Sequence, residues 1–166
     1  MRTIFFILIM AACCFSCKKD TTNAGKTVEI YLLKTYQTVT GKCQIDPSAS
    51  SLQDIATIKN DDIVVYSQTD HQFKLTDNAF QQVMAFGDFI PFAVTVNKVV
   101  IYYGIFKQYY SSSSCDNSII MNIDLISENT IELNLGYPGL LQGVTIDDQR
   151  NNATLIATLE SQGKLR

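Results

Sequence analysis

Polar and apolar residues alternate through Gln72-Phe73-Lys74-Leu75, so successive side chains fall on opposite faces of a short strand. The period changes at Thr76. Its hydroxyl suits a helix N-cap, and Asp77 suits the positive end of the helix dipole. Phe80, Val83 and Met84, with Ala79, then recur at helical spacing, and Gly87 marks the exit. Pro91 restarts an extended segment, Phe92-Ala93-Val94-Thr95-Val96. A turn at Asn97-Lys98 leads into Val99-Val100-Ile101-Tyr102-Tyr103, a hairpin of β-branched and aromatic residues. Strand, helix, strand, strand is the unit between Gln72 and Gly104 around which the rest is arranged.

Upstream, Lys26 to Val39 alternates loosely and reads as a long first strand ending at Gly41. Cys43 follows in a polar loop with Pro47 and a serine-rich run. Asp61 to Tyr66 reads equally as a strand or as one helical turn. Downstream, Tyr109-Tyr110 leads into Ser111 to Asn117, which has no apolar period and reads as loop. Ser118 to Ile126 and Asn129 to Leu135 alternate again, as two strands, and Gly136-Tyr137-Pro138-Gly139 is a turn. Asn151 or Asn152 caps a last helix carrying Leu155, Ile156 and Leu159, with Gly163 at its end. The expected fold is α+β, a mainly antiparallel sheet of about five to seven strands with two helices packed against it, in one domain from Lys26 to Arg166.

The N-terminal pattern is different. One cation, Arg2, precedes an apolar run from Ile4 to Phe15, shorter than the roughly 20 residues that span a bilayer, so it reads as a signal segment. Cysteines stand at 13, 14 and 17. Ser16-Cys17-Lys18-Lys19-Asp20 resembles the cleavage junction common in lipoproteins of the Bacteroidota. The resemblance implies a signal peptide over residues 1–16, lipidation (palmitate) of Cys17 and a tether over 17–25. Met10-Ala11-Ala12-Cys13 is the competing site, and a plain secretory peptide the competing class. Each buried methylene contributes roughly 0.8 kcal/mol, so two or three acyl chains hold a domain on a membrane it does not cross. Lys18 in place of Asp resembles lipoproteins sorted to the outer membrane.

Composition narrows the partners. The formal charge is -3 with no long basic run, which argues against nucleic acid. Of five cysteines, cleavage and lipidation at Cys17 leave Cys43 and Cys115, an even pair that suggests a disulfide in an oxidising compartment; two free thiols are the alternative.

Little in the chain points to catalysis. The single histidine, His71, has Asp70 beside it, but neighbours on a strand face opposite ways and a Ser-His-acid relay needs them converging. Cys43, Cys115 and His71 lack zinc-site spacing, and Asp116-Asn117 and Asp147-Asp148 do not fit an EF-hand. Asp61-Asp62 does not by itself set the carboxylate separation of a glycosidase. No cofactor, metal ligand or catalytic residue is assigned. The aromatic run Tyr102, Tyr103, Phe106, Tyr109, Tyr110 is half core by alternation; its other half, Tyr103, Tyr109 and Tyr110, is the candidate binding surface.

Tyr31-Leu32-Leu33, Tyr102 to Gly104, Ser113-Ser114-Cys115-Asp116, Gly136 to Gly139, Asp148-x-Arg150-Asn151 and Gly163-Lys164-Leu165 resemble a family of small uncharacterised Bacteroidota lipoproteins, which brings no known activity. Phe73-x-Leu75-Thr76-x-x-Ala79 with Phe92-Ala93-Val94 and Val99 to Tyr103 is similar to the periplasmic head of the SecD translocase subunit, implying an α+β fold. The function expected is non-catalytic: a lipid-anchored envelope protein that binds another protein or an envelope ligand. A hydrolase with scattered Asp and Ser residues is the alternative, and a deep pocket of several carboxylates would favour it over a flat aromatic patch near Tyr109.

Overall fold

The computed structural model describes residues 25–123 and 128–166. Cys17, and with it the cleavage junction, lies outside them. In chain order the elements are β1 (Val28–Thr35), β2 (Ser51–Leu52), β3 (Ile63–Ser67), β4 (Gln72–Leu75), α1 (Asp77–Met84), β5 (Ile90–Val96), β6 (Val99–Gln108), β7 (Cys115–Ile123), β8 (Thr130–Tyr137) and α2 (Ala153–Ser161). The fold is α+β, as the alternation implied. Its eight strands form one sheet in the order β2-β1-β5-β6-β7-β8-β4-β3.

The central unit forms for the reasons legible in its residues. Thr76 accepts a hydrogen bond from the Ala79 N–H at 3.5 Å, and α1 buries Ala79, Phe80 and Val83. Asn97 and Lys98 both have positive φ, 50° and 63°, as a two-residue turn with the twist of a hairpin requires. Asn152 caps α2 through Thr154 N–H, at 2.9 Å.

Four segments differ from expectation. Gly136 and Tyr137, read as turn, end β8, because Tyr137 pairs with Cys115. β1 ends at Thr35, where its pairing to β2 shifts register. Asp61 to Tyr66 divides, with a 3-10 turn over Asn60–Asp62 followed by strand from Ile63. Cys115, Asp116 and Asn117, read as loop, begin β7, because Cys115 pairs with Tyr137 of β8. Backbone pairing there is indifferent to the polar side chains that suggested a loop.

Two apolar clusters lie on opposite faces of the sheet. On one face α1 and α2 cover Phe73, Phe92, Tyr102, Phe106, Met121 and their neighbours. On the other, Ala93, Ile105, Ile120 and Cys115 pack with Ile45 and half-buried Cys43 and Tyr103. There the cover is chain without regular structure, pinned by a disulfide between Cys43 and Cys115 with Cα atoms 5.2 Å apart. Closing a loop of 72 residues removes about 4 kcal/mol of unfolded-state entropy on the chain-entropy model. The sheet also curls. Ile58 exchanges backbone bonds with Ile30 of β1 just before the chain enters β3, and Lys164 accepts from Tyr66 N–H of β3.

All strand pairs are antiparallel except β6 and β7, which run parallel from Gly104↔Ile119 to Gln108↔Ile123. This seam divides the sheet into β2-β1-β5-β6 and β7-β8-β4-β3. Gly104 sits on it. A Cβ there would stand 2.6 Å from the Ile119 carbonyl oxygen and would overlap the Phe92 ring, and neither the seam nor a fully buried ring can give way. Gly104→Ala is therefore expected to destabilise the fold by about 1–3 kcal/mol, read as a lowered denaturant midpoint at unchanged slope. An unchanged midpoint would show that the ring has room to move.

Candidate functional site

The parallel seam forces the chain leaving β6 to return over the sheet before it can start β7. Tyr109 to Ser114 make that crossing, far fewer than the dozen or more residues usual for a parallel connection. A buried lysine holds it. By alternation Lys107 shares the face of Tyr103 and Ile105, and its side chain is fully buried. Its three N–H donors are all engaged: Asp88 Oδ2 at 3.1 Å, Ser111 Oγ at 2.8 Å and Ser113 Oγ at 2.7 Å. Ser111 and Ser113 also donate to Asp88 Oδ2, at 2.7 and 3.2 Å, and Gln108 N–H donates to Asp88 Oδ1. The rings of Phe89 and Tyr137 flank the ammonium, centroids 5.5 and 5.1 Å away, a favourable placement over an aromatic face. Phe89 adopts φ +64° to do so, a left-handed conformation that costs roughly 1–2 kcal/mol for a non-glycine residue.

Tyr137 completes the clasp. Its hydroxyl donates to the carbonyl oxygens of Tyr109 and Ser111, at 2.9 and 3.0 Å, fixing the backbone on both sides of Tyr110. Tyr109 and Tyr110 lie just past the end of β6 and are 69% and 74% exposed. Tyr36, just past the end of β1, is 43% exposed. β1 and β6 both run antiparallel to β5, so the three tyrosines share one end of the sheet. Tyr103 does not join them. It is half-buried against the second cluster, because the face opposite Tyr102 is covered by loops.

The remaining candidates are dispersed. His71 occupies the turn between β3 and β4, where its carbonyl accepts from Leu133 N–H, while Asp70 accepts from the Ser67 hydroxyl at 2.6 Å. Asp148 grips the Arg150 guanidinium through both oxygens at 2.8 Å, and Arg150 donates to the Leu133 carbonyl. The Arg150 bond holds the Asp148 carboxyl below the ordinary carboxylate range. Asp62 accepts from Lys59 N–H in its own turn. Among the described residues no three His, Cys, Asp or Glu side chains are grouped to hold a metal ion.

Sequence reasoning missed Lys107, Asp88 and Tyr36. Alternation placed Lys107 on the Tyr103 face, but a lysine near a strand end reads as solvated until the partner 19 residues upstream is known. Lys107 bonds Ser111 and Ser113 together with Asp88, and so ties the crossing chain to the turn before β5. It is a support for an exposed aromatic rim. Comparison with family models, curated proteins and solved structures finds no match to this chain.

The two ends of the ion pair differ in exposure: Lys107 has none and Asp88 keeps 36% of its side-chain surface. Asp88→Ala strands a buried ammonium and should cost on the order of 3 kcal/mol, whereas Lys107→Met leaves a carboxylate that water can reach and should cost clearly less. Burial pushes the Asp88 carboxyl up, but bonds from Ser111, Lys107 and Gln108 together bring it below its usual value. A depressed folded-state value means the stabilisation is complete above the unfolded value near 4 and fades as pH falls through the folded one. The gap in unfolding midpoint between wild type and Asp88→Ala should be constant at neutral pH and close below about pH 4. A gap that persists at pH 2 would remove the ion pair as its cause.

Proposed function

We propose that this chain is a lipid-anchored cell-envelope protein, held at the outer membrane through Cys17, that binds another envelope protein or ligand through the rim of Tyr109 and Tyr110 and performs no chemistry of its own. The observation that carries this reading is the polarity of the sheet. Thr27, one residue before β1, bonds the Asn97 side chain at 2.8 Å, so the described chain begins beside the β5–β6 turn. Val99, which is exposed, follows that turn directly. The tyrosine rim lies at the other end of the sheet, one strand length away. β6 has 10 residues, about 33 Å at the usual rise.

A protein tethered at its N-terminus thus presents the β5–β6 turn toward the anchor and the tyrosines away from it. Tyrosine suits such a role, since it buries large area while keeping a polar tip and loses little conformational entropy. The rim is stiff because Tyr137 and Lys107 hold the backbone beneath it. A hydrolase reading gains nothing from Asp88, Asp148, Asp70 and Asp62, which are spent separately on Lys107, Arg150, Ser67 and Lys59.

Two experiments test the halves of the proposal. Cys17→Ser should abolish palmitate labelling and release the protein from membranes; labelling that persists, or that disappears only with Cys13→Ser, overturns the anchor assignment. Tyr109→Ser combined with Tyr110→Ser should shift stability by no more than about 0.5 kcal/mol per site, the range for exposed positions, while affinity capture of the native partner from membranes is lost. Capture that survives in a folded double variant would sink the rim as the binding surface.

A further inference from the structure

Residues 37–46 form a hairpin of their own within the cover of the second face. Val39 N–H donates to the Gln44 carbonyl at 2.8 Å, Asp46 N–H donates to the Gln37 carbonyl at 2.9 Å, and Thr38 bridges Ile45. Gly41 makes the turn with φ +73°, and Lys42 N–H returns to the Val39 carbonyl. The hairpin bonds its backbone internally. Among the described residues, none of its backbone groups is bonded to the backbone of a sheet strand.

Its hold on the sheet is correspondingly narrow. Ile45 is its one fully buried residue and packs with Ala93, Ile105 and Ile120. Cys43 is half-buried and joined to Cys115, which is 1% exposed, and the Ser118 hydroxyl donates to the Cys43 carbonyl. One flank of the hairpin borders open space: Gln44, Ile45 and Pro47 wall a cavity of about 440 Å³ whose other walls include residues 100–103 of β6 and 117–119 of β7. One apolar side chain, one hydroxyl and one covalent bond therefore keep the segment down. A two-stranded hairpin without such help is marginal at best in water, and segments with few buried apolar contacts are those that open locally while the rest stays folded.

We infer that the hairpin 37–46 is a redox-released flap: reduction of the Cys43–Cys115 bond by a dithiol frees it from the sheet and uncovers Ala93, Ile105 and Ile120, while the remaining fold persists. One thiolate of the dithiol attacks Cys43 Sγ, the S–S bond breaks, and Cys115 leaves as a thiolate that takes up the proton the attacking thiol gave up. The second thiol then displaces Cys43, which takes that thiol's proton, and the reductant departs as a cyclic disulfide. Two electrons pass from the dithiol to the protein. The remaining fold persists because the face under α1 and α2 has an apolar core that uses neither cysteine nor Ile45. The flap shares no residue with the Tyr109–Tyr110 rim and stands or falls independently of the binding role proposed above.

The test uses the purified full chain, without denaturant, before and after treatment with dithiothreitol. The reduced protein is pulsed with iodoacetamide, and mass spectrometry locates the label. Both Cys43 and Cys115 should react, Cys115 within about tenfold of its rate in denaturant, since a thiol that stays buried is inert. The amides of Val39, Lys42 and Asp46 should lose their protection from hydrogen exchange on reduction, while those of β5 and β6 keep theirs. Ser118→Ala should speed reduction about threefold to tenfold, and the wild-type readings do not depend on that variant folding. Cys115 left unlabelled in the folded, reduced chain, or hairpin amides equally protected in both redox forms, would mean a flap that stays shut and overturns the inference. So does a bond that dithiothreitol reduces only once denaturant is added, and so does loss of the β5 and β6 protection on reduction, which would make the bond a support of the whole domain.

Discussion

One parallel seam in an otherwise antiparallel sheet decides what this molecule carries on its second face. Two parallel neighbours joined in sequence oblige the chain to travel back along the sheet, and here it does so in the short run Tyr109 to Ser114 with no helix to shield it. Such a run has few apolar side chains of its own with which to stay down. Lys107 and the Cys43–Cys115 bond hold it from below and at its end. The tyrosines at the bend stand out because their backbone is the part that is tied.

A lysine is an unusual choice for the interior, since desolvating an ammonium costs several kcal/mol unless good geometry returns it. Geometry does so here. Three donors meet three oxygens, one of them anionic, and two aromatic rings replace part of the lost hydration. The arrangement joins the turn before β5, the end of β6 and the crossing chain at one atom. A hydrophobic side chain would fill the space as well, but it would not say which serine belongs where. That specificity is the clearest use of a buried ion pair.

Local signals were legible where local physics decides. Thr76, Asn97-Lys98 and Asn152 each announce a cap or a turn, and each performs it. The pairing of Cys43 with Cys115 was legible from the cysteine count, since these two stand outside the N-terminal cluster at 13, 14 and 17. Long-range pairing was not legible. Nothing in Ser111 to Asn117 says that its second half pairs with Tyr137, and nothing near Lys107 names Asp88. Tyr103 is a related case. Alternation told correctly that it faces away from Tyr102, but whether that side meets water depends on where the Cys43 loop lies.

The sheet order also interlaces the chain in time. β1 and β2 wait for β5 and β6 to complete one half, and β3 and β4 wait for β8 to complete the other. A polypeptide emerging N-terminus first therefore cannot finish either half early, and the β4 edge stays open until residues near Thr130 have arrived. Pairings of such wide sequence separation lie at the slow end of folding. An unpaired edge is an invitation to other chains, so the stretch from Ile63 to Leu75 stays open to them until β8 arrives to cover it.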